Sequence, residues 1–369
     1  MVEHMSGIPV DIQSLADYER HAERVMMPDN WRHVQEGSGF GLTLDVDRRA
    51  YDRIRLLPRR LADLRGGSTA ITLFGQAHAT PILLAPVAYQ RLAHEDGELA
   101  MVRAATALGV TMILSTLSSI TLEEVATAAA GAARELGREP VPHWFQLYFQ
   151  EDRARTLSLV RRAEAAGYGA IVLTVDAAVK RAGFQLPPGV EAANLRGLPS
   201  PQRRASAEGA ILFGTALTET APRWEDLAWL REQTKLPLLV KGIVAPDDAR
   251  IAVAQGVDGI VVSSHGGRVL DGMPAAIDLL PLLRDAVGPS IPLLVDGGVR
   301  AGTDVVKALA LGAQAVLVGR PQMHALAVGG FAGAAHMLHM LRGELELAMA
   351  QIGCRDVPMI DGRYLFGDR

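Results

Sequence analysis

The chain has 369 residues, 49% of them hydrophobic and 21% charged, with a formal net charge of -4. That balance suits a globular protein with an ample core, and the length suits one large barrel or two ordinary domains. The slightly acidic total excludes a strongly basic, polyanion-binding surface, so no nucleic-acid partner is expected, although basic residues cluster from Arg53 to Arg65 and at Arg203 and Arg204. Cys354 is the single cysteine, which excludes an intrachain disulfide, and no Cys/His cluster with ligand spacing occurs, so no metal is expected. No apolar run reaches the roughly 18 residues of a membrane helix. The polar start from Met1 to Ser6 is not that of a signal peptide. These features predict a cytoplasmic protein with no membrane partner.

Ile12 to Val25 carries a helical pattern and Asp29 to Val34 starts a second short helix, followed by a turn from Glu36 to Gly41. Tyr51 to Leu64 mixes basic and apolar residues and leads from an N-terminal helical segment of about 80 residues into a regular repeat. Eight short apolar runs follow as strands: Pro81 to Ala85, Val110 to Leu114, Trp144 to Tyr148, Ala170 to Thr174, Leu238 to Lys241, Gly259 to Val262, Pro292 to Val295 and Ala315 to Val318. Helical patterns alternate with them. They begin near Glu95, at Leu122 with Glu123 and Glu124 in its first turn, and at Asp152, Trp224, Pro246, Ala275, Thr303 and Gly333. Eight strands, apolar on both faces and alternating with helices, predict a (β/α)8 TIM barrel, taken as one domain over residues 1–369. A doubly wound sheet is the competitor. One irregular stretch, Ala177 to Arg223, is too long for an ordinary βα loop and reads as a lid or long loop after the fourth strand.

In such barrels the reactive groups gather on the loops that follow the strands. The sixth strand ends in Ser263-Ser264-His265-Gly266-Gly267-Arg268, with Asp271 shortly after. His265 exchanges a proton near neutral pH, Arg268 offers a planar fork for a carboxylate, and the two glycines permit a tight turn close to a bulky ligand. The first strand is followed by Pro86, Val87 and Ala88, small enough to let a flat ring lie on the backbone, and the second by Ser115. Gln146 and Tyr148 alternate on the third strand, and the fourth ends in Thr174-Val175-Asp176. Lys241 closes an otherwise apolar strand, which is costly unless it meets an anion. Asp296-Gly297-Gly298-Val299-Arg300 and Gly319-Arg320 follow the seventh and eighth strands, where this fold usually binds phosphate. The bland alternatives are a plain turn at Gly297-Gly298, a helix N-cap at Asp176 and a core tyrosine at Tyr148.

The spaced motifs Phe145-Gln146-Leu147-Tyr148, Thr174-Val175-Asp176, Leu239-Val240-Lys241-Gly242, Ser263 to Asp271 and Asp296 to Asp304 resemble the FMN-dependent α-hydroxy acid oxidase and dehydrogenase family, over roughly Ile12 to Cys354. The resemblance implies FMN as cofactor and a small 2-hydroxy acid as substrate, oxidised to the 2-oxo acid, with oxygen or a quinone as acceptor. It implies His265 as base, Asp176 stabilising its protonated form, Arg268 on the substrate carboxylate and Tyr148 at its hydroxyl. Lys241 would sit near the flavin N1 and stabilise the reduced ring. Ala88, Ser115, Gln146 and Thr174 would contact the ring, with Pro86, Val87 and Ser263 in the same cofactor set. Asp296, Gly297, Gly298, Arg300, Gly319 and Arg320 would hold the ribityl and phosphate. Relatives are often homotetramers.

Three departures from the family stand out. His33 occupies the place of a tyrosine that helps grip the carboxylate; it substitutes for that donor or is simply solvated. The loop after the fourth strand is shortened where relatives carry a second substrate arginine, and Arg181 aligns with its downstream part. Ser264 stands where asparagine is common, and Leu117 where some members have tryptophan. The expectation is a soluble oxidase that takes a bulky or aromatic (S)-2-hydroxy acid. A quinone-linked dehydrogenase, a non-redox barrel enzyme and a flavin-binding barrel with a divergent substrate remain open.

Overall fold

The structure is a computed structural model that describes residues 7–178, 184–197 and 211–367. Arg181, Arg203 and Arg204 lie outside the described residues. The described residues hold ten strands: β1 (Ile71–Leu73), β2 (Gln76–His78), β3 (Ile82–Leu84), β4 (Ile113–Ser115), β5 (Trp144–Leu147), β6 (Ile171–Thr174), β7 (Leu238–Lys241), β8 (Gly259–Val262), β9 (Leu293–Asp296) and β10 (Ala315–Val318). β3 to β10 are the eight strands expected from the pattern. They form one parallel sheet in the order β3-β10-β9-β8-β7-β6-β5-β4, and a parallel bridge between Leu84 and Met112 joins its two ends. The sheet is thus rolled into a barrel rather than an open doubly wound sheet.

Side chains of a strand alternate between faces with period two. The inward set, Leu83, Ile113, Trp144, Val172, Leu239, Val261, Leu294 and Leu317, forms one apolar cluster inside the barrel. The outward set packs under the surrounding helices. Two residues beyond six of the interior apolar positions stand Ser115, Gln146, Thr174, Lys241, Ser263 and Asp296. The same pleat that fills the barrel floor therefore raises a ring of polar groups at its C-terminal mouth.

Three features depart from the sequence pattern. Helices α1 (Leu15–Val25) and α2 (Pro28–Gln35) are joined by a third, α3 (Leu42–Arg53), that the hydropathy of this hydrophilic segment does not announce. β1 and β2 form an unexpected antiparallel hairpin, and Phe74 and His78 from it meet the Trp144 ring edge-on, closing the opposite end of the barrel. The last helix runs from Arg320 to Ile352, beginning well before Gly333, with a break at Gly329 and Gly330 that hides its first part from a periodicity reading. Between Ala177 and Arg223, the described residues hold only the short turns Ala193–Leu195 and Ala216–Glu219, consistent with a long loop.

The helix Gly302–Ala310 crosses the last helix so closely that a Cβ on Gly302 would lie 2.2 Å from the Glu344 carbonyl carbon and 2.2 Å from the Leu345 amide nitrogen. Both contacts are backbone and cannot yield without moving a helix. Gly302→Ala is therefore expected to destabilise the fold by about 1–3 kcal/mol, as overpacking does, and urea unfolding of the purified variant measures it.

Candidate active site

Four of these polar groups, Ser115, Thr174, Lys241 and Asp296, line one cavity of about 600 Å³ at the mouth of the barrel. Its chemistry begins at Lys241. Alternation turns this ammonium inward, where it is 3% exposed, and its Nζ lies 2.6 Å from Ser263 Oγ and 3.1 Å from Asp296 Oδ2. Burial alone would strip its proton, but Asp296 and Asp176 outweigh that, and the lysine is held charged above its ordinary range.

His265 follows β8 in a turn whose backbone is left-handed at three successive residues, with φ of 57° at His265, 62° at Gly266 and 70° at Gly267. The histidine conformation is a local strain of the kind that functional sites retain. Gly267 is obligatory for packing as well, because a Cβ there would stand 2.5 Å from the Leu44 amide of α3. The turn aims His265 Nδ1 at Asp176 Oδ1, 2.8 Å away. Among the described residues no helix begins at Asp176; its carboxylate faces the imidazole. Burial pushes its carboxyl up, yet Lys241 and the His265 hydrogen bond hold it below the usual carboxylate range. The geometry thus supplies an imidazole, a group able to exchange a proton near neutral pH, whose Nδ1 is anchored by an ionised carboxylate.

Arg268, one turn on, donates to the Val34 and Glu36 carbonyls at 3.1 and 3.0 Å. Arg320 shares the Val34 carbonyl and also donates to Gly266 O, both at 3.0 Å. Arg300 is half-buried, and its charge acts on Arg320. Burial pushes Arg320 down to about 9, and the neighbouring Arg268 and Arg300 add to that. Three guanidiniums crowded together call for an anion among them. The Gly297-Gly298 turn, with φ of 89° and 76°, borders the same cavity.

Tyr148 lines the cavity, and burial pushes its phenol up to about 12. Its side chain therefore borders the cavity rather than packing only within the core. His33 is half-buried rather than solvated: its ring stacks on Phe184 with centroids 4.1 Å apart, and both line the cavity. Pro86, Val87, Ala88, Ser115, Thr174, Asp296, Gly297, Gly298, Arg300, Gly319 and Arg320 all line it too. Gln146 and Ser263 sit behind the lining, where Ser115 Oγ donates to Gln146 Oε1 and Lys241 donates to Ser263 Oγ. The pattern of strand ends did not reveal Tyr89, Phe149, Leu186, Pro222 and Met323, which complete the wall. Four of the five sit in loops, where no period marks the direction of a side chain.

The residues fit FMN. Gln146 Nε2, Thr174 Oγ1 and Asp296 Oδ1 are buried polar atoms with no hydrogen-bond partner among the described residues, and they fringe the cavity next to Lys241. Buried polar atoms require partners, and a flat ring carrying carbonyls and nitrogens supplies them. The arginines and glycine amides then suit its phosphate. No group of three or more His, Cys, Asp or Glu side chains among the described residues is placed to hold a metal, and no described helix is long and apolar enough to cross a membrane.

Comparison with known proteins agrees with this geometry. The chain is 49% identical over 354 residues to an L-lactate oxidase of Alicycliphilus denitrificans, covering 94% of each. It is 45% identical over 351 residues to a 4-hydroxymandelate oxidase of Amycolatopsis orientalis, covering 93% of this chain and 95% of the relative. A solved structure of mandelate oxidase with benzoyl-formic acid superposes with a TM-score of 0.83 at 43% identity, covering 96% of this chain and 97% of the other. The profile of the FMN-dependent dehydrogenase family matches residues 22–366, and the chain belongs to that family.

Proposed function

We propose that the protein oxidises an (S)-2-hydroxy acid with a bulky or aromatic side chain to the 2-oxo acid, with dioxygen reduced to hydrogen peroxide. The observation that carries the reading is the 2.8 Å contact between His265 Nδ1 and Asp176 Oδ1, on a cavity that also holds Arg268 and Lys241. Bound FMN supplies the two-electron redox chemistry.

The protein side chains do the rest. Arg268 pairs with the substrate carboxylate through its planar fork, which fixes the carbinol carbon over the cavity floor. Tyr148 hydrogen-bonds the hydroxyl. His265 takes up the proton released at the carbinol, and Asp176 stabilises the imidazolium so formed, as a buried carboxylate does for a neighbouring histidine. Ala88 and its neighbours Pro86 and Val87 give the ring a flat wall, with Ser115, Gln146, Thr174 and Ser263 as its polar fringe. Lys241 offsets negative charge on the ring, and Asp296, Gly297, Gly298, Arg300, Gly319 and Arg320 hold the ribityl chain and phosphate. The outer wall is apolar: Val87, Leu92, Leu117, Phe184, Leu186 and Met323. A large apolar side chain gains there and a hydrogen atom does not, which supports a bulky substrate; the aromatic substrate named for the 4-hydroxymandelate oxidase relative is in keeping. The oxidase names of the relatives favour oxygen over a quinone. In the same reading the chain is one FMN-binding domain, works in the cytoplasm and assembles as a homotetramer. The exposed apolar side chains Phe40, Leu42 and Leu270 around Asp271 support assembly.

Several outcomes test these roles. Mandelate-class substrates should exceed glycolate in kcat/KM by about tenfold or more, and steady-state assays that rank glycolate first refute the bulky pocket. His265→Ala should keep FMN while slowing anaerobic flavin bleaching by roughly 10²–10⁴-fold; loss of FMN instead assigns His265 a structural part. Lys241→Met should make the flavin midpoint potential more negative, and an unchanged potential in spectroelectrochemistry removes its proposed role. Light scattering of the pure protein should return the mass of four chains.

A further inference from the structure

Asp47 stands on the inner face of α3, 3% exposed, and the reaction described above gives it no part. The Ser264 hydroxyl donates to its Oδ2 and the Ala276 amide to its Oδ1. Both donors are neutral. Ser264 is the residue directly before His265, at the position where the related family commonly has asparagine. Asp47 also backs onto the glycine turn after β9. Its Oδ2 would lie 3.0 Å from a Cβ on Gly297, and its carbonyl oxygen 2.2 Å from one on Gly298. One carboxyl therefore touches both the turn that carries the proposed base and the turn assigned to the phosphate end of the cofactor.

We propose that Asp47 couples a proton to the grip on FMN. Protonated, it is a neutral strut between the two turns; ionised, it places a negative charge behind the turn that holds a phosphate. The inference rests on the phosphate assignment made under the proposed function. The groups facing Asp47 are Asp296 from β9 and Arg320 from the head of the last helix. Tyr51 lies one turn along α3 and feels its charge. Beyond them Arg48 pairs with Asp304, and His265 turns away to Asp176. Burial pushes the Asp47 carboxyl up to about 6, and the Ser264 and Ala276 hydrogen bonds restrain that rise. A carboxyl raised in this way contributes stability below its ordinary range near pH 4 and loses it as the pH climbs through about 6. Phosphate binding adds a further negative charge and favours the protonated form.

The test is equilibrium dialysis of the full-length protein and of Asp47→Asn against FMN and against riboflavin between pH 5 and 8. FMN itself takes up a phosphate proton near pH 6, so the ratio of the two dissociation constants is the readout, not either curve. The wild-type to Asp47→Asn ratio for FMN should be near one at pH 5 and rise about tenfold by pH 8, the size expected of a partly screened charge near the phosphate. With riboflavin, which lacks the phosphate, the ratio should stay flat. Ser264→Ala removes a donor that favours the ionised carboxyl, so it should move the wild-type rise to higher pH. A ratio independent of pH, with FMN bound by both proteins, overturns the role of Asp47 and leaves the site standing. Failure of every protein to bind FMN at any pH overturns the site assignment and this inference together. Should Asp47→Asn not fold, an FMN profile unmoved by Ser264→Ala overturns the coupling.

Discussion

The arrangement at the barrel mouth depends on one buried charge. An ammonium 3% exposed at the end of β7 is tolerable only if anions and hydrogen-bond acceptors surround it. Asp296 from β9 and Ser263 from the end of β8 reach it directly, and Asp176 beyond β6 acts on it through space. Four consecutive barrel strands are thereby tied at their C-terminal ends by electrostatics, on top of the backbone ladder that ties them along their length. The tie has a chemical consequence. Because Lys241 helps to keep Asp176 ionised, Asp176 can anchor the His265 imidazole as an anion rather than as a neutral acid. The cation under the proposed flavin ring and the anion under the proposed base are thus parts of one balance, and neither can be altered alone.

The N-terminal helices complete what the barrel begins. α3 packs on the His265 turn, and it is fastened at both ends of its contact. Asp271, just past that turn, accepts from the Phe40 and Thr43 amides at the head of α3. Arg48, farther along, donates to the Gly298 carbonyl and to Asp304. The carbonyls of Val34 and Glu36 receive Arg268 and Arg320. These backbone acceptors are neutral, so they orient the guanidiniums without cancelling their charge, and the charge stays available to an anionic ligand. A segment that looks like an appendage in the sequence is therefore part of the wall of the site.

What the sequence made legible follows from periodicity. β3 to β10 are short apolar runs, so eight strands and their C-terminal polar residues could be read directly, and with them His265, Lys241, Asp176, Tyr148, Arg268 and the glycine turn after β9. α3 was not legible because its buried face is mixed: Thr43 and Asp47 meet turns while only Ala50 and Tyr51 join the hydrophobic core, so no continuous apolar stripe marks it. Asp47 was hidden for the same reason. The β1–β2 hairpin escaped because Gln76-Ala77-His78 lacks the β-branched character of a strand and is held by what it plugs. The stacking of His33 on Phe184 could not be read from the sequence, because the partner is far away along the chain and sits in the irregular loop.

The two halves of the cavity have different structural foundations. The inner half, from Ser115 and Gln146 round to Asp296, stands on strand ends whose direction is set by the pleat, and each residue there is one step above the packed barrel interior. A change at Ser263 or Asp296 disturbs the surroundings of Lys241 directly. The outer half, Leu117, Phe184, Leu186, Pro222 and Met323, comes mainly from loops and from one helix face, and its members contribute shape and apolar contact rather than charge. Loop residues of that kind can be exchanged without moving a strand. The departures on described residues fall mainly on this outer half: His33 opposite Phe184 and Leu117 on the wall. Ser264 is the exception, because it lies on the inner half and its hydroxyl is bound to Asp47. A substitution there has to be matched by a partner able to accept a hydrogen bond, and a carboxylate on α3 is what this chain provides.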